Sequence, residues 1–228
     1  MAINSILMNK IIDEFIERMK SKGNGIISFG ANSYYFDGEP GRKDGGEGYK
    51  LGMAIAARKL WNKQKFTPAD IGKGRINETI RTLLSPQYRH NLVTGYQNTN
   101  STFALMENNP TLAEALFYNV FESTNAELAF RELTAKIRRY DVVSTLFFFR
   151  DYSKFVPIAT KTIDRIFYNL GIDFTATDKI SWENYTTYLG YVRQVRSLLA
   201  DRFEGDVTLL DAHSFLWIMQ DSKYFTQS

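Results

Sequence analysis

Apolar positions in the C-terminal half recur at helical spacing, and this pattern sets the expected fold. Ala126, Phe130, Leu133, Ile137 and Tyr140 repeat at intervals of four and three, which predicts one helix with a single buried stripe. Ile163, Ile166, Phe167 and Leu170 share a face on a shorter predicted helix, capped by Thr160 and stopped by Gly171. Tyr185, Leu189, Val192, Val195, Leu199 and Phe203 line the longest predicted helix, which Ser181 opens as its N-cap. A final helix is expected from Asp206 or Thr208 through Met219. The apolar run 142–149 fits a buried helix or a central strand, and Asp141 as a cap favours the helix.

The N-terminal half is less regular. Met8, Ile11, Ile12, Phe15, Ile16 and Met19 fall on one face of an amphipathic helix over residues 1–20. Residues 49–61 and 75–84 are expected to be helical, and Thr67-Pro68-Ala69-Asp70 has the form of a capped helix start with proline at the first position. Ile26, Ile27, Phe29, Tyr34, Tyr35 and Phe36 cluster around Gly30-Ala31-Asn32, which suits a short strand pair. The expectation is a mainly α, multi-helix globular domain with a small β element near residues 25–36. Residues 1–228 read as one globular unit. The Asn- and Thr-rich stretch 91–109 offers the alternative of a basic N-terminal part, 1–95, and a helical C-terminal part, 110–228. No repeat of 20 to 50 residues is present, which argues against a solenoid.

Composition narrows the class. Hydrophobic residues make up 44% and aromatics 14%, enough for a packed core rather than a disordered chain. The absence of cysteine excludes disulfides, thiolate-bound zinc and thiol catalysis, and fits a reducing cytoplasm. Asp13, Glu14 and Glu17 interrupt the first apolar pattern, so it is no signal sequence. The run 142–149 is far short of the roughly 20 residues that a membrane-spanning helix requires. The expected location is cytoplasmic, with no membrane partner.

Charge points to a candidate site. The formal net charge is only +3, but its distribution is uneven. Between Arg42 and Arg89 eleven Lys and Arg face only Asp44, Glu47, Asp70 and Glu78, an excess of seven positive charges. Such an excess can form a phosphate-binding face, and Arg58, Lys59, Lys63, Lys73, Arg75, Arg81 and Arg89 are its candidate residues. Arg193 and Arg196, three apart on the longest predicted helix, present two more cations on one face. The competing reading is a solvated surface of scattered charges.

Catalytic chemistry finds little support. Eight of the fifteen glycines fall in residues 23–48, and the segment 38–48 leads into the predicted helix at Tyr49. Exposed N–H groups there could ring an anion, but no P-loop string and no strand-linked Gly-x-Gly-x-x-Gly is present, so a surface loop is expected. Gly72-Lys73-Gly74-Arg75 is too short to count as a phosphate motif. His90 and His213 are the only histidines, and no His-Glu-x-x-His, Gly-x-Ser-x-Gly or Glu-x-Lys string occurs. Asp37 and Glu39 could meet magnesium but read as a solvated turn. His213 shares a side with Leu209, Leu210, Leu216 and Trp217, and reads as a neutral core histidine bonded to a carbonyl or to Asp211. Trp182 and Trp217 read as packing anchors. No catalytic residue, metal or cofactor is assigned.

Four strings follow one another in the C-terminal half: Phe155-Val156-Pro157-Ile158, Phe167-Tyr168-Asn169-Leu170-Gly171-Ile172, Ser181-Trp182-Glu183-Asn184-Tyr185, and Leu210-Asp211-Ala212-His213-Ser214-Phe215-Leu216-Trp217. This series, over roughly residues 125–219, resembles a helical module of bacterial restriction and phage-defence proteins. In those proteins the module lies beside HNH nuclease or McrB-like GTPase parts as a targeting or recognition segment. The strings are those of packing and capping, so the resemblance bears on fold more than activity and carries over no catalytic residue. It implies a non-enzymatic DNA-binding or targeting module of a restriction-like defence system. The alternatives are a protein–protein adaptor docking a nuclease or ATPase subunit, and a metal-dependent nuclease with an unrecognised site.

Overall fold

Helix α8 (Tyr140–Arg150) occupies the run that sequence left between helix and strand, and burial on every side explains the ambiguity. All residues from Val142 to Phe149 are buried, so the segment carries no polar stripe to betray its period. Its N-cap is Arg139 rather than the expected Asp141. Asp141 instead lies in the first turn, where it complements the helix dipole and pairs with Arg139 at 3.2 Å. A computed structural model describes residues 3–21, 49–89, 92–93, 99–203 and 206–219. Every regular element among them is helical, and the protein is mainly α. The strand pair expected near 25–36 and the glycine-rich loop 38–48 lie outside the described residues.

The described residues divide between two compact units that alternate along the sequence. One falls within Gly52–Thr160 and Asp178–Tyr185, and the other within Met1–Leu51, Lys161–Thr177 and Thr186–Ser228.

The first of these units holds most of α2 (Tyr49–Gln64), a 3-10 turn at Pro68–Asp70, and the helices α3 (Arg75–Leu83), α4 (Pro86–Arg89) and α5 (Asn100–Asn108). It continues through α6 (Pro110–Glu122), α7 (Ala126–Thr134), α8 and the first turn of α10 (Trp182–Ala200). Helix α6 is its hub and packs against α3, α5, α7 and α8. Proline at the first position of α6 costs no hydrogen bond there. Phe117, Val120, Phe121, Phe130, Leu133 and Phe147 are among the side chains that close the core.

Two expectations need correction in this unit. The helix read over Ala126 to Tyr140 ends at Thr134. Ile137 and Tyr140 are still buried, but a turn and the start of α8 place them there rather than a continuing helix. The Asn- and Thr-rich stretch 91–109 is not all irregular either. Its second half is α5, whose Thr102 and Met106 are buried and which packs on α6.

The other unit combines α1 (Ser5–Ser21), α9 (Thr160–Asn169), the remainder of α10 and α11 (Leu209–Ile218). Met8, Ile11, Ile12 and Phe15 of α1 are buried as the amphipathic pattern predicts, and Phe15 meets Phe215 edge-on at 5.1 Å. The expected cap Thr160 is instead the first helical residue of α9, whereas two other expected caps hold, Ser181 in the first unit and Thr208 in this one. Ser181 Oγ accepts from Asn184 N–H at 3.1 Å, and Thr208 and Asp211 form a reciprocal capping box. Helix α9 closes in a Schellman turn. Ile172 N–H reaches Phe167 O at 2.8 Å, Gly171 N–H reaches Tyr168 O at 3.0 Å, and Gly171 supplies the required positive φ of 64°.

Candidate nucleic-acid interface

Helix α2 is built from strong helix formers, with Ala54, Ala56, Ala57, Leu60 and Lys or Arg at four further positions. Ala54, Ala57 and Trp61 face the core. Ile55, Arg58, Lys59, Asn62 and Lys63 fall on another face at the i, i+3, i+4, i+7, i+8 spacing of one helical stripe. Lys65, with φ of 51°, turns the chain away after the last helical residue.

This stripe forms one wall of an open groove of about 510 Å³, and Tyr152, from the turn after α8, contributes to its lining. Three of the nine predicted cations, Arg58, Lys59 and Lys63, therefore share one concave surface with an aromatic ring. Lys59 and Lys63 are exposed and make no ion pair among the described residues. Ile55 is 48% exposed and Tyr152 36%, so both apolar faces of the groove are open to solvent.

Beneath the stripe the helix is anchored rigidly. Trp61 stacks on Phe121 with ring centroids 4.0 Å apart and meets Phe66 at 4.9 Å. Its indole N–H donates to Glu122 Oε1 at 2.5 Å. Arg58 Nη1 lies 4.0 Å from the same carboxylate oxygen. Arg150 Nη2 donates to Ser123 O at 2.6 Å. The Nη1 atoms of Arg58 and Arg150 are both buried and donate no hydrogen bond among the described residues. Burial holds the Arg150 guanidinium below its ordinary pKa. Asp151 opposes that shift, and the neighbouring charge of Arg58 adds to it. Arg58 and Arg150 thus sit close together beside Glu122, behind the wall that Arg58 helps to form.

The turn that carries Tyr152 is braced by its own first residue. Asp151 Oδ1 accepts from Ser153 N–H at 3.1 Å and from Ser153 Oγ at 2.5 Å, and Oδ2 pairs with Lys154 at 3.0 Å. Burial pushes the Asp151 carboxyl up, but the hydrogen bonds from Ser153 and Lys154 outweigh it and hold the group below its ordinary value. Phe155 and Val156, both buried, fix the far side of the turn.

The remaining predicted cations are placed differently. Lys73 and Arg75 both pair with Asp70, at 3.3 and 3.5 Å, and Arg75 also lies 5.4 Å over the Phe66 ring. Arg81 pairs with Glu107 at 3.3 Å and sits 5.0 Å over Phe103. Arg89 ends α4, and its side chain lies outside the described positions. Arg193 and Arg196 belong to the other unit. Arg193 is exposed, whereas Arg196 Nε donates to Val207 O at 2.7 Å and ties down the segment before α11.

The Gly72-Lys73-Gly74-Arg75 turn does form an anion cradle, and the protein fills it with its own carboxylate. Gly72 and Gly74 adopt φ of 91° and 83°, and Glu114 of α6 accepts from the backbone N–H of Gly72, Gly74, Ile76 and Asn77 at 2.6 to 3.2 Å. His213 is a core histidine, as expected. Its Nδ1 lies 3.4 Å from Nζ of the buried Lys50, which itself sits 5.0 Å over Trp217. The Asp211 carboxylate completes the capping box of α11 by accepting from the N-cap Thr208. Among the described residues no three acidic or histidine side chains converge as metal ligands, and no helix is long and apolar enough to cross a membrane.

Sequence analysis missed Tyr152, Ile55 and Asn62 as parts of the groove. The stripe on α2 was readable from its spacing. Tyr152 was not, because it reaches the groove from almost ninety residues away. No family model, curated protein or solved structure matches the chain.

Proposed function

We propose that the chain is a non-enzymatic DNA-binding or targeting module that holds the phosphate backbone in the α2 groove. The observation that carries this reading is the gathering of Arg58, Lys59 and Lys63 on one concave surface, with two lysines not neutralised by any described carboxylate. Cations already paired with Asp70 and Glu107 are weaker candidates, since a phosphate would have to displace a carboxylate. Contacts of this kind set affinity and salt dependence rather than sequence choice. A place in a restriction-like defence system rests on the resemblance over residues 125–219 alone, as does a nuclease or NTPase partner.

The test is fluorescence anisotropy with labelled duplex and single-stranded DNA at two salt concentrations. Three phosphate contacts predict an affinity loss of roughly 40-fold for duplex and roughly 20-fold for a single strand between about 50 and 200 mM salt. Binding that collapses with salt, and weakens when Lys59 and Lys63 are reversed to Glu, supports the proposal. No detectable binding of either form at low salt overturns it and makes docking to a protein partner the reading to pursue.

A further inference from the structure

We infer that the α2 groove takes a single strand of nucleic acid, with an unpaired base stacked on Tyr152 and the flanking phosphates on Lys59 and Lys63. The inference rests on the reading of the groove as a nucleic-acid site and names the form of nucleic acid that fits it.

Three features favour a single strand over a duplex. First, the groove pairs cations with an exposed aromatic ring. Lys59 and Lys63 are four residues apart on α2, hence about 6 Å along the helix axis, a step of the same order as that between successive phosphates of one strand. A duplex keeps its bases stacked inside, so it offers phosphates to the lysines and nothing to Tyr152. An extruded or unpaired base offers a π face, which stacks on tyrosine whatever its identity. Second, Tyr152 is presented rather than free to fold away. Asp151 pins the turn through Ser153 and Lys154, and the buried Phe155 anchors its end, so little ordering remains to be done when a base arrives. Third, the groove, shallow and open, carries groups that an exposed base ring and edge can use. Ile55 supplies apolar surface in the same groove, and the Asn62 side chain supplies both a donor and an acceptor for a base edge.

The experiment compares three labelled oligonucleotides of equal length at about 50 mM salt: a pyrimidine single strand, the same strand as duplex, and a strand of abasic sites with the same phosphate count. The expected order is single strand tightest, with the abasic strand weaker by roughly tenfold or more. Tyr152→Leu should bring the pyrimidine strand to the abasic level, while Tyr168→Leu, at an exposed tyrosine in the other unit, should leave it unchanged. Far-ultraviolet circular dichroism confirms that both variants are folded. Equal binding of all three, insensitive to Tyr152→Leu yet weakened by reversing Lys59 and Lys63, overturns the stacking inference while the phosphate reading stands. Failure of every oligonucleotide to bind overturns both.

Discussion

The Glu114 carboxylate lies 2.6 Å from the backbone nitrogen of Gly72, inside a turn built to hold an anion. The same carboxylate reaches Gly74, Ile76 and Asn77, so it satisfies N–H groups that the start of α3 cannot pair internally and complements the positive end of that helix. Glu114 has no exposed surface, and a buried carboxylate is tolerable only when its oxygens are fully engaged. The cradle is therefore a structural clasp between α6 and α3.

Removing the clasp should be costly. Glu114→Ala leaves four backbone donors facing a cavity, and a destabilisation of about 3 kcal/mol or more is expected. Glu114→Gln should cost less, because its amide keeps one acceptor oxygen but turns its NH₂ toward a donor. Urea denaturation of the two variants against the parent measures both values. A loss below about 0.5 kcal/mol for the alanine variant, the range of an ordinary surface substitution, would contradict the assignment.

How much of this was legible depended on where the partner lies in sequence. The caps at Ser181 and Thr208 and the stop at Gly171 are local events, decided by residues within one turn, and all three were readable. The break after Thr134 was not, because neither glycine nor proline marks it. Lys136 and Ile137 both bond back to Leu133 O, and the apolar spacing continues across a backbone that has left the helix. The stretch before Asn109 misled through composition. Asn and Thr favour turns by bonding their own backbone, but α5 gains from packing Thr102 and Met106 inward on α6. In the candidate site the α2 stripe was legible and its occupied neighbours were not. Arg81 meets Glu107 at 3.3 Å from 26 residues away, and Arg75 meets the nearby Asp70 at 3.5 Å only because the turn between them brings the two together.

That difference in pairing yields a graded prediction. Each unpaired cation that meets a phosphate adds about one unit to the slope of log affinity against log salt. Lys59→Glu combined with Lys63→Glu should lower the slope by about 2 units for duplex and about 1.4 for a single strand. Arg75→Glu and Arg81→Glu, whose charges are already engaged, should each change it by less than about 0.5. Salt titrations of the three variants decide it, and equal effects would spread the site beyond the groove.

The Tyr152 turn should be acid-sensitive. Hydrogen bonds from Ser153 and Lys154 hold the Asp151 carboxyl below its ordinary value despite burial. A lowered folded-state pKa gives stability that is present above the unfolded value, about 3.9, and is lost as pH falls through the folded one. Asp151→Asn removes that contribution. The melting temperature of the parent should exceed that of the variant near neutral pH, and the gap should shrink toward zero below about pH 4. A gap that widened on acidification would have the wrong sign for this assignment.

Tyr185 tests whether the strings behind the resemblance act through packing. Its hydroxyl donates to Val156 O at 2.8 Å, and its ring stacks on Phe130 at 5.3 Å and lies 6.3 Å from Phe155. Two of the four strings therefore meet in a buried contact. Tyr185→Phe keeps the ring and strands the Val156 carbonyl, which should cost about 1 to 2 kcal/mol. Tyr185→Leu also loses the aromatic stack and leaves space, for about 3 kcal/mol or more. Urea midpoints should fall in that order with unchanged m-values. Tyr185 lines no part of the α2 groove, but it bonds Val156 and packs by Phe155, the residues that fix the far side of the Tyr152 turn. At a temperature where both variants are folded, oligonucleotide affinity should therefore match the parent for Tyr185→Phe and fall for Tyr185→Leu, though by less than for Tyr152→Leu. A larger loss for Tyr185→Phe than for Tyr185→Leu would contradict this packing role.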